Sequence, residues 1–193
     1  MKKEINLICE PKLAKHRFLL GKKGNKNLLV IALNPNTASS NKHDSTTRNI
    51  EKIAKDSGFD GWILFNLSPV RDPEPENLIK EADKKLQQSN LNHFCKIIED
   101  ESWNIKNVWL AWGNGVIKRN YLTDTAVKML DYLKEMDINY YCINRTQQHH
   151  PYHSAQRVLN SFFEKGKKIK FEEFPAQAYK DLILKYSLEK NTS

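Results

Sequence analysis

Leu28-Leu29-Val30-Ile31-Ala32-Leu33-Asn34-Pro35-Asn36-Thr37-Ala38 is the stretch on which the fold turns. A short unbroken apolar run with β-branched residues reads as a strand buried on both faces. It stops at Asn34-Pro35, because Pro35 has no N–H for a ladder and biases Asn34 away from helix. Asn34 is then expected at the carboxyl end of a central strand, where open α/β sheets bind ligands. Asn-Pro is also a common turn opener, so the stretch alone does not establish a site.

Three further runs have the same form. Trp62–Leu67 ends in Ser68-Pro69-Val70-Arg71. Val108–Trp112 ends in Gly113-Asn114-Gly115. Tyr140–Ile143 leads into Asn144-Arg145-Thr146-Gln147-Gln148-His149-His150-Pro151-Tyr152-His153. Between them lie helical patterns. One carries Ile50, Ile53 and Ala54, capped by Ser45 or Thr46 and ended by Gly58. A charged one runs from Glu76 to Asp100, with a break expected near Ser89-Asn90. A third, Thr125–Met136, turns Val127, Leu130 and Leu133 inward. A fourth carries Ala155, Val158, Leu159 and Phe162, and a last helix lies near Ala176–Leu188. Residues 5–20 read as two short strands or an irregular lead-in. Alternating strands and helices predict an α/β fold: a three-layer α/β/α sandwich around a four-stranded parallel sheet, order 2-1-3-4, with right-handed crossovers. The expectation is one domain over residues 1–193, with its core over about 28–165.

Composition narrows the function classes. The chain has 193 residues, 39% hydrophobic and 28% charged, and no apolar run approaches a membrane span. Cys9, Cys95 and Cys142 are odd in number and scattered. They suggest a reducing, cytoplasmic setting and argue against a disulfide framework or a metal site; no cofactor is expected. A net charge of +8 favours a polyanionic partner, with basic turns near Lys22-Lys23 and Lys167-Lys168 as the contact.

The four strand ends bring together Asn34-Pro35, Asn66 with Arg71, Trp112-Gly113, and His150-Pro151. This set resembles the uracil-DNA glycosylase superfamily. Ile63-Leu64-Phe65-Asn66-Leu67-Ser68-Pro69-Val70-Arg71 is similar to its Leu-Leu-Asn…Thr-Val-Arg run. His150-Pro151-Tyr152-His153-Ser154-Ala155 is similar to its His-Pro-Ser-Pro-Leu-Ser loop, without the second proline. A closer resemblance is to a bacterial and phage family, domain of unknown function 1643. Its members carry Leu-Asn-Pro-Ser-Thr-Ala, Asp-Pro-Thr-x-Arg, an Asn-Leu strand end, Trp-Gly, and His-Pro-Leu-Tyr. This chain has Leu33–Ala38, Asp44-Ser45-Thr46-Thr47-Arg48, Asn66-Leu67, Trp112-Gly113 and His150-Pro151-Tyr152 over roughly residues 16 to 155. Ser45 replaces the proline, and Tyr152-His153 replaces Leu-Tyr. Membership in that family carries no activity.

The glycosylase resemblance implies a fold and a set of roles. His150 would donate to the departing base; losing such a donor costs roughly 3 kcal/mol in comparable sites. Asn34 would hold water near the sugar, though it cannot serve as a carboxylate base, and Asp44 is the nearest acidic alternative. Asp44 and Arg48, four residues apart, also suit a helix-end salt bridge. Asn66 suits a base edge, and Arg71 a phosphate. Pro35, Thr37, Arg48, Trp112, Gly113 and Tyr152 complete the candidate binding set. Tyr152 is the stacking or wedge residue, whereas Phe65 and Trp112 read as core. Two functions stay open: a metal-independent DNA N-glycosylase, and a non-catalytic protein that binds nucleic acid or a nucleotide through the same pocket.

Overall fold

The computed structural model describes residues 7–11, 15–72, 77–155, 159 and 169–191. Its centre is one mixed sheet. The strands are β1 (Ile8–Glu10), β2 (Leu19–Lys22), β3 (Asn27–Ala32), β4 (Gly61–Asn66), β5 (Ile105–Ala111), β6 (Asn139–Cys142) and β7 (Glu172–Glu173). The helices are α1 (Ser45–Asp56), α2 (Lys84–Glu99), α3 (Asn120–Lys134) and α4 (Ala176–Asn191).

The sheet order is β1-β2-β4-β3-β5-β6-β7. Its centre, β4-β3-β5-β6, is parallel throughout, in the order expected for the four apolar runs. The expected four-stranded sheet is nevertheless corrected to seven strands among the described residues. β1 and β2 add antiparallel to the β4 margin, and β7 adds antiparallel to β6. These strands are short, and β1 and β7 are largely exposed, as suits sheet edges. Their sequences therefore lack the unbroken apolar run that marks β3 and β4.

Strand alternation divides the core into two layers. Leu29, Ile31, Ile63, Phe65, Val108 and Leu110 face α2, α3 and α4, against Phe94, Met129, Leu133, Tyr179 and Ile183. Leu28, Val30, Ala32, Trp62, Leu64 and Trp109 face α1, against Ile50, Ile53 and Ala54, with Leu159. Both clusters are fully enclosed, and each buried aliphatic side chain contributes about 1.5–3 kcal/mol.

Several helix readings differ from expectation: α2 begins at Lys84 rather than Glu76, and α3 spans Asn120–Lys134 rather than Thr125–Met136. The α1 cap is Asp44, not Ser45 or Thr46: the Asp44 side chain accepts from the Thr47 amide, and Thr47 Oγ1 accepts in turn from the Asp44 amide. This reciprocal capping box outcompetes the simple serine cap. Helix α2 runs unbroken through Ser89-Asn90. Asn90 is buried and donates to the Asn66 carbonyl at 2.8 Å, so a residue that reads as a breaker is tied into the sheet. Most of the helix expected around residues 155–162 lies outside the described residues, as does Lys167-Lys168. No helix among the described residues is long and apolar enough to cross a membrane.

Candidate functional site at the carboxyl edge of the sheet

The parallel register sets the site. Ala32 pairs with Asn66 on one side and Ala111 on the other, so three strands end level. Asn34, Asn66 and Trp112 consequently emerge at one sheet edge. The loop after β6 joins them: Pro151 accepts from the Gly113 amide at 2.9 Å. Gly113 has φ +66°, and a Cβ there would lie 3.2 Å from His153 Cβ. Glycine is thus required twice, for the backbone angle and for the close loop.

The loop from Asn34 to Ala38 is held by its backbone. Residues 15–17 run antiparallel to residues 69–71: the Arg17 amide donates to Pro69, and the Arg71 amide to Lys15. Arg17 and Arg71 therefore arrive together. Each donates an Nη1 proton to the Ala38 carbonyl, and Arg71 Nη1 also reaches the Asn36 carbonyl at 3.0 Å. The Asp44 carboxylate accepts from the Ala38 amide, and Asn34 Nδ2 donates to the Asp72 carbonyl at 2.7 Å. Arg17 is 1% exposed. Burial and the Arg71 charge push its guanidinium down to about 10, against the opposing pull of Asp44. It remains charged at neutral pH, and its Nε has no partner among the described residues.

The sequence-derived residues separate by environment. Asn66 is 1% exposed; alternation turns its side chain toward the α1 face, and its Nδ2 is buried with no partner among the described residues. Pro35 and Gly113 are buried, while Asn34, Arg71 and Tyr152 are half-buried. Thr37 and Arg48 are exposed. Arg48 donates to the His43 carbonyl, and the Asp44 carboxylate serves the cap and the Ala38 amide rather than pairing with Arg48. Trp112 is fully buried, and its indole N–H donates to Tyr179 Oη at 3.0 Å. The basic turn around Lys22–Lys26 sits at the opposite, amino edge, where Lys23 lies over Trp103 and Lys26 over Phe59.

His150 is fully buried, with an exposure of 0%. A turn holds it, with the Thr146 amide donating to the His150 carbonyl and the His150 amide to Thr146 Oγ1. Its Nδ1 lies 2.8 Å from Tyr179 Oη, and its Nε2 is buried without a partner among the described residues. Burial, and to a smaller extent neighbouring His149, push the imidazole down to about 4, so it is neutral at pH 7. His150, Trp112 and Tyr179 gather toward the α4 side, opposite the face shared by Asn66 and Asp44.

Several contributors escaped the sequence reading. Ser154 is fully buried; its carbonyl accepts from Asn49 of α1, and its Oγ has no partner among the described residues. Arg17 was legible as a lone charge beside the apolar run Phe18-Leu19-Leu20. Tyr179, in a final helix without a motif, gave no signal. Among the described residues, no group of three or more His, Cys, Asp or Glu side chains is placed to hold a metal ion.

A family model described as "Protein of unknown function (DUF1643)" matches residues 17–154. No curated protein and no solved structure matches the chain.

Proposed function

The chain belongs to the DUF1643 family, whose description carries no activity, and we propose from the geometry that it binds a nucleobase, in nucleic acid or a nucleotide, at the carboxyl edge of its sheet. The buried Asn66 amide carries this reading. A carboxamide offers a donor and an acceptor side by side, the pattern needed to pair bidentately with a base edge. Its Nδ2–H is a desolvated donor without an acceptor, which costs about 1–3 kcal/mol unless a ligand or water satisfies it. The resemblance to the uracil-DNA glycosylase superfamily points the same way, since its strand-two Asn reads a base.

Binding is favoured over hydrolysis. The Asn34 amide is engaged by Asp72, and Asp44 caps α1, so neither is set up to activate water. One observation favours the second reading, an N-glycosylase: His150 is neutral and buried with an unpartnered Nε2, as a donor to a departing base would need to be.

The test uses purified protein with oligonucleotides carrying varied bases, read by binding and by mass spectrometry for a lost base. The expected result is selective binding that falls steeply with salt, with the base retained. Asn66→Ala should flatten the discrimination among bases. Base release would replace the binding reading with the glycosylase one. Absence of binding even at low salt would overturn the nucleic-acid form and leave only free nucleotides.

A further inference from the structure

Tyr179 lies in α4, beyond the segment that the family model covers. We propose that it is a positioning residue for the carboxyl-edge site. It holds His150 with the imidazole proton on Nε2, so that the ring offers one fixed donor to an acceptor atom of a bound base. The inference rests on the reading of that edge as a binding site, whereas its test needs no ligand.

The argument is one of proton accounting. An indole N–H only donates, so in the 3.0 Å contact Trp112 gives its proton to Tyr179 Oη. A phenol has a single proton, and Tyr179 is 4% exposed, so that proton needs a protein acceptor. The His150 Nδ1 lone pair at 2.8 Å supplies one. With Nδ1 accepting, a neutral imidazole carries its proton on Nε2. The reverse arrangement would make Tyr179 accept from both neighbours and leave its own O–H buried without that acceptor, at a cost of about 1–3 kcal/mol. The ring is kept neutral by its surroundings. Tyr179 meets it edge-on at 5.7 Å and Tyr186 at 6.1 Å, both from α4, and His149 adjoins it on the loop. None of these is a carboxylate that would favour the imidazolium.

The orphaned Nε2 is what separates this arrangement from simple core packing. A purely structural histidine would be expected to satisfy both nitrogens. Here one nitrogen is fixed by the chain Trp112, Tyr179, His150, and the other is buried with nothing to bond among the described residues.

The experiment is a long-range proton–nitrogen NMR spectrum of histidine-labelled full-length protein at neutral pH. Wild type should show His150 as a single neutral form with Nε2 protonated and Nδ1 bare. Tyr179→Phe removes the hydroxyl and keeps the ring. The two nitrogen resonances should then converge as the tautomers mix, while circular dichroism shows the fold retained. A role confined to packing would lower the melting temperature without changing which nitrogen holds the proton. Wild type with the proton on Nδ1, or an unchanged Nε2–H form in a folded Tyr179→Phe, overturns the proposal. If that variant fails to fold, a wild-type spectrum with the proton on Nδ1 still overturns the proposal, and Trp112→Phe, which leaves the Tyr179–His150 bond in place, should keep the Nε2–H form.

Discussion

Arg17 and Arg71 donate to the same oxygen, the carbonyl of Ala38, from 3.0 and 2.8 Å. Two like charges converge there because residues 15–17 pair with residues 69–71, and Asp44 is the carboxylate that offsets the Arg17 charge. Arg17→Ala should destabilise the protein by about 1–3 kcal/mol, since it removes a charged donor from the buried Ala38 carbonyl while relieving the repulsion with Arg71. Arg17→Lys should recover only part of this, since an ammonium lacks the planar fork. Urea midpoints for the three proteins check both statements.

Asp44 has two structural duties, capping α1 and accepting from Ala38. Asp44→Ala should cost about 1–3 kcal/mol, from a lost cap and an unsatisfied buried amide. Asp44→Asn keeps a good cap residue and should retain much of that stability. If base release were found and Asp44→Asn abolished it without unfolding the chain, the carboxylate would have a chemical role beyond the cap.

His150 gives stability a defined pH dependence. Its folded pKa of about 4 lies below the ordinary 6.5, so between those values the unfolded chain binds more protons. Stability contributed by the neutral ring is then full above about pH 6.5 and is lost as pH falls toward 4. The difference amounts to roughly 3 kcal/mol. Denaturation at about pH 7 and about pH 5 should show roughly 2 kcal/mol of this loss, the rest falling below pH 5, and His150→Gln should flatten that part of the profile.

Gly113→Ala tests the loop seam. The left-handed backbone and the 3.2 Å approach to His153 Cβ both oppose a methyl group. A loss of about 1–3 kcal/mol is expected, read as a lower melting temperature. Gly58→Ala is the control: its φ is +83°, but a Cβ there meets nothing within 4 Å, so only the backbone strain should appear.

The parallel centre of the sheet was legible because β3, β4 and the carboxyl half of β5 are buried on both faces. Burial forces continuous apolar runs, and each run ends in residues that cannot continue a ladder. The edge strands β1, β2 and β7 were less legible, because partial exposure permits Glu10, Lys22, Glu172 and Glu173 within them. In the site, Asn34, Asn66, Trp112 and His150 were readable as strand-end residues. Their division between the two faces follows from side-chain alternation beyond the last ladder pair, and loop residues such as His150 obey no such period. The partners Arg17, Ser154 and Tyr179 lie far along the chain from what they touch, and no local pattern records a contact of that kind.

The bonds that close the carboxyl edge have a consequence for synthesis. Asn49 waits for Ser154, and Trp112 waits for Tyr179 in the last helix. A ribosome releases the chain from its amino terminus at about 5–20 residues per second, and domains fold as their parts emerge. All four parallel strands precede α4 in the chain. The carboxyl edge of the sheet therefore gains its last bonds when α4 brings Tyr179 to Trp112 and His150.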